Sequence, residues 1–413
     1  MHLLVVTQYF WPEEFRINDL VGELRARGHT ITVLTGVPNY PWGTVFPEFA
    51  ADPARFATYE GVEVIRVPML PRGSGALRLM LNYASFALSA TVFGLSRLSG
   101  RRFDGIFVFE PSPVTVGLPA IAIKAVHGWP IVFWVLDQWP ESLAAVGMVR
   151  SPSILRAVGL GVRFIYTRCD AILSPSKRLM PQIASYCRPG QRIEYFPNWS
   201  EAVFEGPPPA PASDVPSAPG VFTVMFAGNI GDAQDFPAIL DAADRLKARA
   251  DIRWLIVGDG RSSAWVREEI ARRGLEQRVH LLGRMPVDRM PAVFQHADAL
   301  LVSLRADAVF AMTSPGKIQS YLATGIPVLA MLDGEGAAVI EEAQAGYTSP
   351  AGDSARLAAN IERLSALAPD ARAALGANGL AFARREFRRE RLVDRLEQCF
   401  TDLIAPGAVR EAQ

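Results

Sequence analysis

Three stretches of this 413-residue sequence hold residue types at spacings that could do chemistry. The first is Thr313-Ser314-Pro315-Gly316-Lys317, which runs into Ile318-Gln319-Ser320-Tyr321-Leu322-Ala323-Thr324-Gly325. It reads as a loop and a short helix, with two hydroxyls and an ammonium at the helix start, where free backbone N–H groups favour a phosphate. An ordinary capped helix with a surface lysine satisfies the same pattern. The second is a set of glycine turns at strand ends: Gly228-Asn229-Ile230-Gly231, Gly258-Asp259-Gly260 and Gly283-Arg284. Glycine there lets the backbone approach a ligand closely. Tight strand-to-helix turns use glycine anyway, but the set in one half, with Lys317 nearby, points to a phosphate-bearing ligand. The third is Asp137-Gln138-Trp139-Pro140-Glu141-Ser142. Two carboxylates and a tryptophan after a strand suit polar recognition or general acid/base work. A helix with acidic first-turn residues is the alternative.

The elements that must position these groups alternate between strand and helix. In the first half, apolar runs predict strands near 2–7, 30–35, 62–67, 104–109, 131–136, 171–173 and 193–196. Helices are expected near 17–27 and 77–98. The second half restarts the pattern, with strands at 222–227, 252–257, 279–282, 299–303 and 326–330 and helices between them. Such β-α-β alternation implies parallel sheets. Gly206 to Gly220 holds six prolines and reads as a linker or extended surface loop. The region 353–403 reads as helical, with Phe387, Leu392, Leu396, Phe400 and Leu403 forming an apolar stripe on the last helix.

Length allows two domains with full cores. With 20% charged and 50% hydrophobic residues the chain is globular. Forty-two basic and 42 acidic residues cancel, which argues against a dedicated nucleic-acid binder. Cys169, Cys187 and Cys399 are far apart, show no zinc spacing and suggest a reducing compartment. The start, Met1 to Val6, reads as a strand rather than a signal peptide. No glycine dinucleotide fingerprint follows that strand, which disfavours an N-terminal NAD site. Leu77 to Leu98 is greasy but interrupted by Arg78, Asn82, Ser85, Ser89 and Arg97. It fits a core helix or one lying on a bilayer surface better than a span.

Taken together, several motifs resemble glycosyltransferase family 4. They are Gln8-Tyr9-Phe10-Trp11-Pro12-Glu13, Arg16-Ile17-Asn18-Asp19-Leu20, Pro38-Asn39-Tyr40-Pro41, Asp137 to Ser142, Pro197-Asn198-Trp199, Phe226 to Gly231 and Lys317 to Gly325. The resemblance covers nearly the whole chain and is closest to bacterial enzymes of capsule, O-antigen and colanic-acid assembly of the fucosamine-transferase type. It implies the GT-B fold, an α/β architecture of two facing Rossmann-like domains. An acceptor domain would span 1–205, a proline-rich linker 206–220 and a nucleotide-sugar domain 221–385, with a C-terminal helix, 386–413, returning to the first domain.

The implied activity is retaining transfer of a hexosyl or N-acetylhexosaminyl group from a nucleotide diphosphate donor, UDP-sugar favoured and GDP-sugar possible, to a polyprenyl-linked saccharide. The donor would meet Gly228, Asn229, Gly258, Asp259, Gly283, Arg284, Met285, Thr313, Ser314, Lys317 and Ser320. The acceptor side would use Arg16, Asn18, Asn39, Tyr40 and Trp139. Lys317 would neutralise the diphosphate, and Asp137, with Glu141 as second choice, would act on the acceptor. No cofactor and no metal are expected, because backbone dipoles and basic side chains carry that charge and no Asp-x-Asp motif occurs. A cytoplasmic enzyme at the inner face of the membrane follows, with Leu77–Leu98 and the aromatic loop Tyr9-Phe10-Trp11 as contacts with lipid. Departures from the family are Met312 and Ser320 where relatives carry glutamates, Asn229 and Gln234 where they carry Arg and Lys, and Glu13-Glu14 in place of a double glycine. A sugar-nucleotide 2-epimerase of the same architecture and a non-catalytic binding subunit are the competing readings.

Overall fold

The computed structural model describes residues 1–405 apart from 74, 146–148, 150 and 205. The apolar runs fold as inner strands of two sheets. In the first, β1 (His2–Val6), β2 (Thr30–Gly36), β3 (Thr58–Tyr59), β4 (Val62–Val67), β5 (Gly105–Glu110), β6 (Ile131–Val135), β7 (Ala171–Ser174) and β8 (Arg192–Tyr195) lie in the order β3-β4-β2-β1-β5-β6-β7-β8. All pairings are parallel except the short β3–β4 hairpin. Every residue of β5 and β6 is buried, as expected of strands covered on both faces.

The second sheet holds β9 (Phe222–Ala227), β10 (Ile252–Val257), β11 (Val279–Gly283), β12 (Ala299–Ser303), β13 (Val328–Met331) and β14 (Gly346–Ser349). Its order is β11-β10-β9-β12-β13-β14, all parallel. Its core joins Val224, Phe226, Trp254, Ile256 and Leu301 to helix residues Ile239, Leu240, Leu357 and Ile361. In each sheet the strand order reverses beside the first strand, between β1 and β5 and between β9 and β12. Open α/β sheets bind ligands outside the carboxyl ends of strands at such points.

The chain divides into two compact units. One runs to Phe196 and resumes at Leu392; the other is Pro197–Arg391. These boundaries differ from the 205/206 and 385/386 expected from the sequence. The proline-rich stretch therefore does not lie between units but belongs to the second. Its backbone is held there: Arg253 Nη1 donates to the Pro216 carbonyl at 2.8 Å, and the Ala212 amide donates to Ala292 at 3.1 Å. Val215 is buried. The last helix, Arg389–Ile404, buries Leu392, Val393, Leu396, Cys399 and Phe400. Phe387 is not on it, but ends the preceding helix, Pro369–Glu386. Within the first unit, Phe400 fills the space beside Gly105, where a Cβ would lie 2.5 Å from its ring. Arg27 pairs with Asp394 at 2.5 Å and with Glu397 at 3.1 Å.

The greasy segment is a helix, Ala76–Arg97. Leu77–Arg97 is long and apolar enough to cross a membrane by length and composition. One face packs inward through Leu79, Tyr83, Phe86 and Ala90. Gly94 brings it against Leu34 and Ile123. Asn82 is fully buried, accepting from Gln8 Nε2 at 2.7 Å and donating to the Leu70 carbonyl at 2.6 Å. The opposite face exposes Leu77, Met80, Leu81, Leu88 and Val92.

Candidate functional site

In the second unit the glycine turns form one contiguous row. The Gly228 amide donates to Val257, the Gly258 amide to Gly283 and the Ile230 amide to Asp259, at 2.8–3.0 Å. Gly258 sits at φ +135°, and a Cβ on it would lie 1.9 Å from the Gly228 carbonyl oxygen. Only glycine allows β9 and β10 to end this close together. Gly260 is also close-packed, with a Cβ on it 2.4 Å from the Ile230 carbonyl oxygen and 2.6 Å from Asn229 Oδ1.

Lys317 meets this row from the helix Lys317–Ala323. Its Nζ lies 4.0 Å from the centroid of the Phe226 ring. A Cβ on Gly228 would stand 2.7 Å from it. The Nζ is shielded from solvent and has no hydrogen-bond partner, as does the Ser314 hydroxyl. Burial lowers the Lys317 ammonium to about 8. A buried cation without a counter-ion is costly to hold, and an anionic ligand removes that cost. Tyr321, one turn along, fixes the approach: its hydroxyl donates to the Ala227 carbonyl and accepts from the Ala227 amide, both at 3.0 Å. The helix has only seven residues, so its dipole contributes little and the ammonium carries most of the charge.

In the first unit a cavity of about 280 Å³ opens at the carboxyl ends of β1, β2, β5 and β6. Its walls include Tyr9, Phe15, Tyr40, Tyr83 and Trp139, with Asp137 and Arg72 as the charged groups. Asp137 Oδ2 accepts from Trp139 Nε1 at 2.9 Å. Beneath it, Glu110 is fully buried; its Oε2 accepts the Leu136 and Asp137 amides at 3.3 Å, and its Oε1 has no partner. Burial, with the Asp137 charge adding to it, raises the Glu110 carboxyl well above the usual carboxylate range. Glu13 joins two loops: it accepts the Phe10 amide at 3.1 Å, the Asn39 amide at 2.8 Å and the Tyr40 amide at 2.7 Å. Burial pushes it up to about 7 despite these donors.

Gly228, Asn229, Gly258, Asp259 and Gly283 lie together with Lys317, and Ser314 shares its lack of a partner. Asp259, however, serves its own loop, with Oδ1 accepting the Gly260 amide at 2.7 Å. Thr313 caps back to the Phe310 carbonyl. Arg284 is exposed and Met285 half-buried beyond β11. Ser320 is not open to a ligand hydroxyl, because its hydroxyl donates to the Glu201 carboxylate. Asn229 turns to Gln234 at 3.3 Å.

In the first unit, Asp137, Tyr40 and Trp139 line the cavity, and Glu141 does not. Its Oε1 accepts from the Tyr186 hydroxyl at 3.0 Å. Asn18 and Asn39 are structural clamps rather than acceptor contacts. Asn18 bridges the Trp11 amide and the Glu13 carbonyl, and Asn39 joins Val37 to the Arg72 amide. Arg16 pairs with Asp19 at 3.7 Å, outside the cavity. The aromatic loop also packs inward: Tyr9 and Phe10 are buried, and Trp11 meets Phe56 and Tyr59 at tilted angles, 4.9 and 5.5 Å between centroids. Sequence reasoning missed Arg72, Tyr83, Tyr321 and Glu201 as site residues. Only Tyr321 gave a signal, as a buried tyrosine whose hydroxyl needs a partner. Among the described residues no three His, Cys, Asp or Glu side chains converge as a metal site.

Such a pair of doubly wound units, one with a glycine and lysine anion site and one with an aromatic cavity beside a carboxylate, is the arrangement of a two-domain group-transfer enzyme. Family comparison agrees. Residues 14–199 match the glycosyl transferase 4-like domain and residues 221–366 match glycosyl transferases group 1. Together they span most of the chain, which belongs to these GT-B glycosyltransferases. Among curated proteins, an Escherichia coli K12 protein named as a colanic acid biosynthesis glycosyl transferase, WcaI, is 26% identical over 342 residues, covering 79% of this chain and 82% of that one. Solved structures share the fold. Anabaena Alr3699/HepE in complex with UDP and glucose aligns at TM-score 0.66 and 14% identity over 97% of this chain and all of that one. WaaG, a glycosyltransferase involved in lipopolysaccharide biosynthesis, aligns at 0.62 and 15% over 98% of this chain and all of that one.

Proposed function

We propose that this glycosyltransferase moves a sugar from a nucleoside diphosphate donor, UDP-sugar foremost, onto a polyprenyl-linked saccharide during bacterial surface polysaccharide assembly, with retention of configuration. The observation that carries the donor assignment is the unpartnered Lys317 ammonium beside Gly228. Departure of a nucleoside diphosphate develops negative charge on its phosphate oxygens. A preorganised cation in a dry site stabilises that charge at no reorganisation cost. Lys317 fills this role, with the Ser314 hydroxyl and the Gly228 backbone as further contacts, so no metal is required. Asp137 orients or deprotonates the acceptor hydroxyl. Two of the relatives named above, WcaI and WaaG, are described as glycosyltransferases of colanic acid and lipopolysaccharide biosynthesis, which supports the surface-polysaccharide assignment.

A thermal-shift panel with UDP, GDP, ADP and TDP, with EDTA or magnesium, tests the donor site. A ligand at 100 times its Kd stabilises by about 2.7 kcal/mol. Selective stabilisation by UDP in EDTA is the expected result. Stabilisation only with magnesium removes the metal-free assignment, and no stabilisation by any nucleotide removes the donor assignment.

The lipid-linked acceptor is supported by the surface of the first unit. The neighbouring helices Ala76–Arg97, Gly117–His127 and Pro152–Tyr166 contain no Asp or Glu. They expose Leu77, Met80, Leu81, Leu88, Ile154, Leu160 and Phe164 among exposed Arg78, Arg97, Arg156 and Arg163. Apolar side chains interspersed with arginines suit the headgroup boundary of an anionic membrane, which supports a position at the inner face of the cytoplasmic membrane. Flotation with phosphatidylglycerol vesicles is expected, and its absence at low salt counts against docking.

A further inference from the structure

The first-unit cavity holds a cation that the chemistry above does not use. Arg72 lines it together with Tyr9, its guanidinium 5.4 Å from the Tyr40 ring centroid. Among the described residues no carboxylate lies within ion-pair distance of it, Asp137 in the same cavity included. Its backbone is fixed: the Arg72 amide donates to Asn39 Oδ1 at 2.8 Å, and Asn39 is itself held by Glu13 and Val37. Three loops thus converge to fix the Arg72 backbone at the cavity wall.

The rest of the cavity describes what the guanidinium faces. Tyr9, Phe15 and Tyr40 form a cluster with centroids 5.2–5.5 Å apart, and Tyr83 meets Trp139 edge-on at 6.0 Å. The volume of about 280 Å³ is at the small end for ligand sites and takes one ring-sized group rather than a chain. The Ser142 hydroxyl, on a lining residue, is buried without a partner. A cavity with aromatic walls, a carboxylate and a separate unpaired guanidinium fits a molecule with an apolar ring face, a hydroxyl and an anion.

The geometry points to Arg72 as the residue that selects an acceptor bearing an anionic group next to the sugar that Asp137 engages. This rests on the glycosyl-transfer reading of the chain and adds a charge requirement to it. Guanidinium forms paired hydrogen bonds to phosphate and carboxylate alike. The anion can therefore be the phosphate that joins the sugar to its lipid or a carboxylate on the sugar itself.

Titration of tryptophan fluorescence in the full-length protein tests this, since Trp139 lies in the cavity wall. The probes are farnesyl diphosphate, methyl glucuronide and neutral octyl glucoside, with UDP binding measured by thermal shift on the same samples. An anionic probe is expected to bind wild type and to weaken about 10- to 100-fold in Arg72→Gln, the range for one charge-assisted hydrogen bond. Arg72→Lys recovers part of the loss, and octyl glucoside and UDP are unaffected. The farnesyl arm alone showing the effect assigns the anion to the lipid linkage; the glucuronide arm alone assigns it to the sugar. Equal binding of charged and neutral probes by wild type, or unchanged anion binding in Arg72→Gln, overturns the proposal. Loss of UDP binding in wild type strikes the donor reading instead and leaves the Arg72 result standing by itself.

Discussion

The two units share one sheet logic and use it for opposite surfaces. In the second, the strand ends are bare backbone: Gly228, Gly258 and Gly283 bring main-chain atoms forward, and a single lysine supplies the charge. In the first, the strand ends carry side chains, with Tyr9, Tyr40, Asp137 and Trp139 around an open cavity and buried carboxyls, Glu13 and Glu110, tying the loops beneath it. Their outer faces differ as well. The second unit is dressed with ion pairs such as Arg249–Asp251, Arg273–Asp241 and Arg289–Asp214. The first presents three neighbouring helices without an acidic residue. Backbone contacts suit a ligand whose charge dominates its binding. Side-chain walls suit one that must be recognised by shape and presented from a membrane.

The contrast breaks most sharply at Lys317. Lys317→Ala is expected to lower turnover by about 10²–10³, the usual cost of one preorganised donor to a developing oxyanion. Lys317→Met separates charge from packing. The folded ammonium sits near 8 against 10.5 unfolded, so between these values the unfolded chain binds more protons. Stability of the unliganded enzyme therefore rises with pH through that window, and the full penalty is present below about 8. Urea unfolding at pH 7 and pH 10 should show wild type gaining stability and the methionine variant unchanged. Equal slopes would mean that the lysine is solvated.

The glycine row comes next. Gly258→Ala places a Cβ against the Gly228 carbonyl at a φ of +135°, so backbone strain alone costs roughly 1–3 kcal/mol, and relief of the clash misplaces the donor turn. Gly283→Ala, at φ +74° with nothing within 4 Å, costs only the left-handed penalty of roughly 1–2 kcal/mol and leaves its neighbours in place. Unfolding midpoints and UDP shifts on both variants distinguish a close-approach glycine from a turn glycine. In the first unit, Leu81→Glu with Leu88→Glu should weaken vesicle flotation about tenfold or more, given 1.5–3 kcal/mol for burying one leucine, while UDP binding is unchanged.

What the sequence exposed and what it hid follow the same division. Inner strands are continuous apolar runs and are readable at once. So are Gly228, Gly258 and Lys317, because residue type alone carries their role. The polar edge strand Gly346–Ser349 and the two-residue β3 have no such run and escape notice. The first-unit cavity is assembled from residues 9, 15, 40, 72, 83, 112, 137, 139, 142 and 143, which only the fold brings together. Nothing local marks Arg72 among the many arginines. The prolines of 206–220 announce missing N–H donors but not where their carbonyls go, and Arg253, from inside β10, takes one of them. Glu201 reaches Ser320 across 119 positions, a distance no motif spans.

The smallest effect is expected at Glu13, and it sharpens the view of buried carboxyls as loop ties. Its carboxyl is raised from 4.5 to about 7, chiefly by burial, with the Asn39, Tyr40 and Phe10 amides and the Arg66 charge opposing. The folded chain then holds a proton that the unfolded chain has released, so this contribution is full below about 4.5 and is lost as pH rises through about 7. Glu13→Gln keeps one amide acceptor and cannot ionise. Its stability should therefore be flatter than wild type between pH 4.5 and 7 in urea unfolding, with Tyr40 still placed to line the cavity. If the glutamine variant loses anion-probe binding along with the slope, the carboxylate itself shapes the pocket that Arg72 closes, and the tie is part of recognition rather than a support for it.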